Sequence, residues 1–94
     1  MTHSPITVRI PTQLRECCDG ASKLALDAAT PQALLDQLAQ RHPELHRSIC
    51  DETGSVRRHI GLFVNSELVH GRVGLDQALS PGDVVSIFPA VSGG

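Results

Sequence analysis

The chain has 94 residues, which suffices for one small domain with one modest core. Eight Lys and Arg residues against ten Asp and Glu residues give a formal net charge of -2, and the only aromatic residues are two phenylalanines. Because nucleic-acid binding calls for a basic face or a surface on which bases stack, this composition argues against nucleic acid as a partner.

The cysteine content and the lack of long apolar runs bear on where the protein acts. No apolar run approaches the ~18 residues of a membrane-spanning helix, and residues 1–5 lack the pattern of a secretory signal. Three cysteines are an odd number, and a bridge between the neighbours Cys17 and Cys18 would be strained. We therefore expect reduced thiols in a cytoplasmic protein, with Cys17 and Cys18 in a loop and Cys50 packed as a small hydrophobe.

The first part of the chain predicts a β-hairpin. Residues 6–10 alternate apolar and polar side chains, which is typical of a half-buried strand, and Pro11 ends that strand. Residues 23–27 alternate again after the turn signal Asp19-Gly20, so a second strand follows. The two strands form a hairpin whose loop is longer than the tightest kind.

The middle of the chain predicts one main helix. Thr30 supplies a hydroxyl cap, and Pro31 occupies the first helical position, where its missing N–H costs no hydrogen bond. The helix runs to about Arg41 and ends at His42-Pro43, since the residue before a proline avoids helical geometry. Residues 45–49 form one further short helical turn. The apolar face of the main helix consists of Leu34, Leu35, Leu38 and Ala39.

The second half of the chain predicts three more strands. Residues 60–64 alternate as a strand, and residues 68–69 form a short one. A loop follows at residues 71–74 and a helical turn at residues 75–79. Residues 84–88 are rich in β-branched side chains and bounded by turns, so we expect this last strand to be central and paired on both sides.

The order of these elements predicts the fold class. A hairpin, a crossover helix and a returning sheet make an α+β domain with a mixed sheet and the main helix packed on one sheet face. The β-grasp arrangement of ubiquitin-like proteins has this order. We assign residues 1–88 to a ubiquitin-like β-grasp domain and residues 89–94 to a flexible carboxyl-terminal tail that leaves the sheet at Pro89.

The last two residues, Gly93 and Gly94, give the tail a distinctive chemical property. The α-carboxylate has no side chain beside it, so the backbone can pass through a channel too narrow for any other residue. Such a carboxylate suits delivery into the active site of another protein. The alternative is a frayed end without function. Because the tail directly follows the last strand of a ubiquitin-like order, delivery is the favoured interpretation.

The carboxyl-terminal pattern resembles a known family. Residues 80–94 combine a Gly-Asp turn, an apolar strand, Phe-Pro, small residues and terminal Gly-Gly, which is similar to the end of the MoaD/ThiS ubiquitin-like sulfur carriers. Residues 10–15 and 62–67 fit the same family, so the resemblance covers nearly the whole chain. The long segment between the main helix and the third strand resembles CysO-like carriers of cysteine biosynthesis. Phe88 before Pro89 leans towards the small subunit of molybdopterin synthase.

The resemblance implies a mechanism that depends on two partners. A MoeB/ThiF-like adenylating enzyme uses ATP and Mg²⁺ to adenylate the Gly94 carboxylate. The acyl adenylate accepts sulfur and becomes a thiocarboxylate. A sulfur-accepting synthase, either cysteine synthase-like or the large subunit of molybdopterin synthase, then receives that sulfur. The carrier itself performs no catalysis and binds no cofactor.

The resemblance also assigns roles to individual residues of the tail. Gly94 is the site of covalent attachment, and Gly93 gives it access to the partner's active site. Phe88, Pro89 and Val91 guide the tail and offer apolar contacts to the partners. For Phe88, closing the end of the core is an equally good interpretation.

Metal and nucleotide binding are not expected of this chain. His42 and His46 are four residues apart, but Pro43 interrupts any shared helix face, and no Cys-x-x-Cys pair occurs. No glycine-rich phosphate loop is present either. We expect solvent-exposed histidines, which are His3, His42, His46, His59 and His70.

Two other classes of function stay open beside the sulfur carrier. The first is a ubiquitin-like modifier, whose Gly94 forms an isopeptide bond with a target lysine. Lys23 is the only lysine of the chain, which disfavours a modifier that builds chains on itself. The second is a non-catalytic binding module that happens to end in glycines, which would keep its partner after truncation of Gly94.

Overall fold

The computed structural model describes residues 5–69 and 71–89. Five strands form one mixed sheet in the order β2-β1-β5-β3-β4, and three α-helices and a 3₁₀ helix complete this part of the chain. The strands are β1 (Ile6–Arg9), β2 (Lys23–Leu26), β3 (Ile60–Val64), β4 (Glu67–Leu68) and β5 (Val84–Pro89). The helices are the 3₁₀ helix (Thr12–Cys18), α1 (Pro31–Arg41), α2 (Pro43–Ile49) and α3 (Gly71–Leu75).

Strand β5 occupies the centre of the sheet. It pairs in parallel with β1, with Val8 opposite Val85, and antiparallel with β3, with Leu62 opposite Ile87. The prediction of a central last strand is therefore confirmed. The hairpin of β1 and β2, the crossover through α1 and the return through β3 give the α+β arrangement that the element order predicts.

The core lies between one face of the sheet and the helices α1 and α2. Helix α1 begins where the sequence predicts, because the hydroxyl of Thr30 accepts a hydrogen bond from the backbone N–H of Ala33 (3.1 Å) and Pro31 follows the cap. The predicted apolar face is confirmed for Leu34, Leu35 and Leu38, which are buried, whereas Ala39 is exposed. The inward side chains of the sheet are Ile6, Val8, Ile60, Leu62, Val64, Val85 and Ile87.

Two segments differ from their prediction. The loop of the first hairpin contains the 3₁₀ helix, which ends at Asp19 in the left-handed region (φ 55°). This helix brings the side chain of Cys18 into the core, so Cys18 is not a loop thiol, and Cys17 is half-buried with its Sγ 3.7 Å from Oγ of Ser48. Helix α2 begins at Pro43 and is longer than the single predicted turn.

The third helix lies four residues earlier than predicted. It spans Gly71–Leu75, where the sequence predicts a loop, and residues 76–79 are not helical. Leu79 is instead held in an irregular segment, because its N–H donates to the carbonyl of Ala29 (2.8 Å) and its side chain is buried. A Cβ at Gly74 would lie 2.8 Å from Cγ1 of Val69, so close packing of the backbone rather than helix propensity determines this segment.

The burial of the central strand predicts a large effect of truncating its inward side chains. Replacing Val85, which is fully buried, by alanine should lower the free energy of unfolding by about 1–3 kcal/mol, since two methyl groups leave the core. The matched substitution Val73→Ala, at a side chain that is 86% exposed, should change it by less than about 0.5 kcal/mol. Urea unfolding of both variants measures the difference, and equal effects would contradict the assignment of the core.

The buried thiols predict a pH dependence. Burial and the neighbouring Asp51 carboxylate raise the pKa of Cys50 from its ordinary value of 9.0 to about 11. The folded state holds the proton of the Cys50 thiol more tightly than the unfolded state does. Protonation of this thiol therefore adds to the free energy of unfolding below about pH 9, and this contribution is lost as the pH rises towards 11. The thiolate required for alkylation is therefore scarce at neutral pH.

We expect iodoacetamide at neutral pH to label half-buried Cys17 before Cys18 and Cys50, as read by mass spectrometry of peptides. The same protein in urea, where all three thiols should react, is the control. Labelling of native Cys50 as fast as Cys17 would show that the burial of this thiol is wrong.

Candidate functional site

Strand β5 ends at Pro89, which is the last described residue before the carboxyl-terminal tail. The strand continues through Pro89, which lies opposite Ile60 of β3, so Pro89 itself does not leave the sheet as the sequence predicts. The N–H of Asn65 donates to the carbonyl of Val84 (2.7 Å), and hydrogen-bonded pairs alternate along an antiparallel ladder. The nitrogen of Pro89 therefore faces away from β3. On its other side β1 has already ended, so the missing N–H of this proline costs no ladder bond.

Phe88 lies on the sheet face that the helices leave open. Its side chain is 52% exposed and packs edge-to-face on Phe63, with the ring centroids 5.4 Å apart and the ring planes at 87°. Leu68 of β4, opposite Phe63, is 42% exposed. We call Phe63, Leu68 and Phe88 the apolar patch. Phe88 therefore does not close the helix-side core, which ends with Ile87 on this strand.

A groove of about 480 Å³ opens beside the last residues of β5, between that strand, the 3₁₀ helix and the adjoining ends of β1 and β2. Three cations line it, and none of the other described residues that line it is Asp or Glu. Nε of Arg15 donates to the carbonyl of Ile10 (3.2 Å), which holds this guanidinium at the groove. We call this the basic groove. Its charged residues are Arg9, Arg15 and Lys23.

A second cavity of about 420 Å³ lies beside Ile60, which pairs with the last described residue of β5, Pro89; we call Pro89 the tail root. Its lining is mostly apolar, with Arg57 and Arg58 among the lining residues. Nε of Arg57 donates to the carbonyl of Arg47 (3.1 Å). The preceding loop is ordered by Asp51, whose Oδ1 accepts hydrogen bonds from Thr53 and Ser55, and these bonds lower the pKa of that carboxyl group.

The other residues that the sequence singled out are not brought together. Val91, Gly93 and Gly94 lie outside the described residues, so their roles stay predictions. Over residues 5–69 and 71–89, no group of three metal-binding side chains occurs. In the same ranges no helix is both long and apolar enough to span a bilayer. His59 is exposed, His42 and His46 are half-buried, and His3 and His70 fall outside the described ranges.

The basic groove is the feature that sequence reasoning missed. Alternation along β1 places Arg9 on the open sheet face, but the pairing of Arg9 with Lys23 depends on the register of a hairpin with a thirteen-residue connection. The 3₁₀ helix that carries Arg15 gave no periodic signal. The only available clue to the register was sequence spacing, namely the separation of Ile10 from Pro11 and of Leu24 from Gly20.

The comparisons with known proteins agree with this geometry. A family model described as the ThiS family matches residues 8–94. Sulfur carrier protein CysO of Mycobacterium tuberculosis (strain ATCC 25618 / H37Rv) is 33% identical over 91 residues, which are 95% of this chain and 98% of that protein. Small archaeal modifier protein 1 of Haloferax volcanii is 35% identical over 66 residues, which are 70% of this chain and 71% of that protein.

A solved structure extends the similarity to the backbone fold. A chain in the crystal structure of the Amycolatopsis orientalis BexX/CysO complex matches with a TM-score of 0.82 and 34% identity, covering 95% of this chain and 99% of that one. The relatives bear the names of carriers and modifiers rather than of enzymes. Because the family model spans residues 8–94 and the sheet has the same β-grasp architecture, this chain belongs to the ThiS family of ubiquitin-like proteins.

Proposed function

We propose that this protein is a sulfur carrier of the cysteine-biosynthetic type, which bears the sulfur as a thiocarboxylate on Gly94. The observation that supports it most is the anchoring of β5 at the centre of the sheet up to Pro89, followed by five residues that end in Gly93-Gly94. A rigid strand fixes the starting point of the tail. The tail then reaches at most about 17 Å further as an extended chain, which suits insertion into a partner's active site.

The chemistry belongs to the partners, and the carrier supplies the carboxylate. An adenylating enzyme of the MoeB/ThiF type binds ATP and Mg²⁺, and the Gly94 carboxylate attacks the α-phosphate with release of pyrophosphate. Sulfur from a donor then displaces AMP, which leaves a thiocarboxylate. A synthase finally joins this sulfur to its substrate as a thioester, and water hydrolyses the thioester, which leaves the sulfur on the product and restores the carboxylate. The absence of a side chain at Gly93 and Gly94 lets both enzymes enclose the reacting carbon.

The similarity to a protein named sulfur carrier protein CysO supports a cysteine synthase-like acceptor over the large subunit of molybdopterin synthase. The three cysteines form no disulfide in the part of the chain that the structure describes, which accords with a reducing compartment, and we place the carrier in the cytoplasm. The apolar patch is the surface we assign to partner contact. Its half-exposed aromatic ring is of the type that dominates binding energy in interfaces.

Conjugation to other proteins is the second candidate function. The similarity to Small archaeal modifier protein 1 favours it. In that case the activated Gly94 carboxyl group forms an isopeptide bond with a lysine of another protein, in place of accepting sulfur. The two functions share the adenylation step and differ in the nucleophile that follows.

Reconstitution with the adenylating enzyme from the same genome, ATP, Mg²⁺ and sulfide tests the proposal. We expect intact mass spectrometry to detect a product heavier by the difference between one sulfur and one oxygen atom, localised to the carboxyl-terminal peptide. The variant Gly94→Trp should form neither adenylate nor thiocarboxylate while its urea midpoint stays unchanged. Val73→Trp places the same bulky group at an exposed position outside the tail and should be activated normally.

Normal activation of Gly94→Trp would contradict the argument that the tail threads into a narrow channel. Gly-Gly remnants on lysines of other proteins, found in the host without any thiocarboxylate, would instead establish the modifier.

Phe88 should contribute more to partner binding than to folding. We expect Phe88→Ala to weaken binding of the adenylating enzyme about tenfold, which corresponds to about 1.4 kcal/mol. The free energy of unfolding should fall by no more than about 1.5 kcal/mol, since the side chain is half-exposed and loses chiefly its contact with Phe63. Isothermal titration calorimetry and urea unfolding measure the two effects, with Val73→Ala as the control. An unchanged affinity would restrict Phe88 to a structural role.

A further inference from the structure

We propose that the basic groove is a second docking surface, which binds an acidic surface segment of the adenylating enzyme beside the channel that receives the tail. This inference rests on the proposed function and names the recognition element of its first step. It concerns Arg9, Arg15 and Lys23, which are separate from the apolar patch and from the tail itself.

One cross-strand pair of the groove is electrostatically unfavourable. Arg9 of β1 lies directly opposite Lys23 of β2 in the antiparallel register, and both side chains are exposed. Like charges at directly opposed positions destabilise a strand pair. The fold gains nothing from this arrangement, and a local cost of this kind is typical of residues retained for binding.

The positive charge of the groove is not compensated by acidic residues among its described lining. None of the described residues that line it is acidic, and the two acidic residues of the neighbouring segment, Glu16 and Asp19, are exposed and do not line it. Arg15 adds a third cation whose guanidinium is held by the carbonyl of Ile10. A chain of net charge -2 thus carries a concave surface of the opposite sign. Complementary charge is therefore what the groove selects in a partner.

The groove lies directly beside the last described residues before the tail. Its lining includes Phe88 and Pro89, so whatever encloses the tail also covers the groove. Gly94 lies five residues beyond Pro89, up to about 17 Å away along an extended chain. A partner that receives the tail therefore lies against the groove, and acidic side chains around its channel are the occupant that fits the charge of Arg9, Arg15 and Lys23.

Charge complementarity of this kind acts on encounter as well as on affinity. An acidic partner repels a carrier of net negative charge unless the basic groove faces it. The groove thus orients the carrier with the tail root towards the channel before the apolar patch makes contact. The effect should be screened by salt, whereas contacts of the apolar patch should not be.

The test uses a substitution for which binding and stability are expected to change in opposite directions. Lys23→Glu should weaken binding of the adenylating enzyme at least tenfold at low ionic strength, and the loss should shrink to about twofold at about 1 M salt, where the Debye length is about 3 Å. The same variant should melt about 1–4 °C higher, because a carboxylate then faces Arg9 across the strands. A rise in stability excludes misfolding as the cause of weaker binding.

The matched control is Arg41→Glu, which makes the same change of charge at an exposed position that lines neither cavity. It should leave the affinity within twofold of wild type. Arg9→Gln, which removes a groove charge without introducing an acid, should weaken binding at low salt by a smaller factor than Lys23→Glu. Equal affinities of Lys23→Glu and Arg41→Glu would overturn the proposal, as would a loss of binding only to the sulfur-accepting synthase.

Steady-state adenylation separates failure of this inference from failure of the proposed function. Lys23→Glu should raise the KM for the carrier and leave kcat unchanged, since Gly94 is intact and saturation restores the complex. If wild type is activated and the KM of Lys23→Glu is also normal, the groove inference alone is wrong. If wild type is not activated at all, the proposed function is wrong and the inference falls with it.

Discussion

The pairing of β5 on both of its edges is the constraint on which the rest of the molecule depends. Parallel pairing with β1 requires a crossover, which α1 and α2 provide, and antiparallel pairing with β3 closes the sheet around the buried side chains of Val85 and Ile87. Since β1 ends opposite Ser86, the last three residues of β5 pair with β3 alone. The same register that completes the core therefore opens the basic groove beside the root of the tail.

The register also places charged side chains towards one edge of the open sheet face and apolar side chains towards the other. One transverse row crosses all five strands, and Ser86 of the central strand separates two cations from two apolar side chains. The members of the row, in sheet order, are Lys23, Arg9, Ser86, Phe63 and Leu68. Phe88 follows Ser86 on the same face of β5 and packs on Phe63. Side chains on the helix-facing side of the sheet form the core. Those on the opposite side form two chemically different surfaces, the basic groove and the apolar patch, on either side of the end of β5.

Local sequence patterns were enough to predict the strands whose apolar and polar residues alternate and the helix that begins with a cap. The strands at residues 6–10 and 60–64 and the helix that begins at Pro31 were predicted because burial on one face leaves a regular trace in the sequence. The 3₁₀ helix and α3 left no such trace. They are short, and their positions come from tertiary contacts such as the burial of Cys18 and the close approach of Gly74 to Val69.

The candidate site divides in the same way between local and long-range information. The carboxyl-terminal pattern singled out Phe88, which the structure shows to be half-exposed, and the tail beyond Pro89, whose role stays a prediction. The basic groove was not predictable, because its cations are contributed by three elements whose relative register depends on a long connection. The sequence thus predicts the part of the candidate site that is contiguous in the chain and not the part that folding assembles.

The position of Lys23 connects the groove with the choice between carrier and modifier. This residue is the only lysine of the chain, and it lies in β2 opposite Arg9, within the groove. A chain of modifiers linked through Lys23 would remove one groove charge and place a second domain over the tail root. A protein linked in this way has lost one of the three charges that we assign to recruitment of its adenylating enzyme, so chain growth weakens renewed activation. The groove therefore favours a carrier that returns repeatedly to the same enzyme with Lys23 unmodified, because the full groove charge lowers the carrier concentration at which activation is half-maximal.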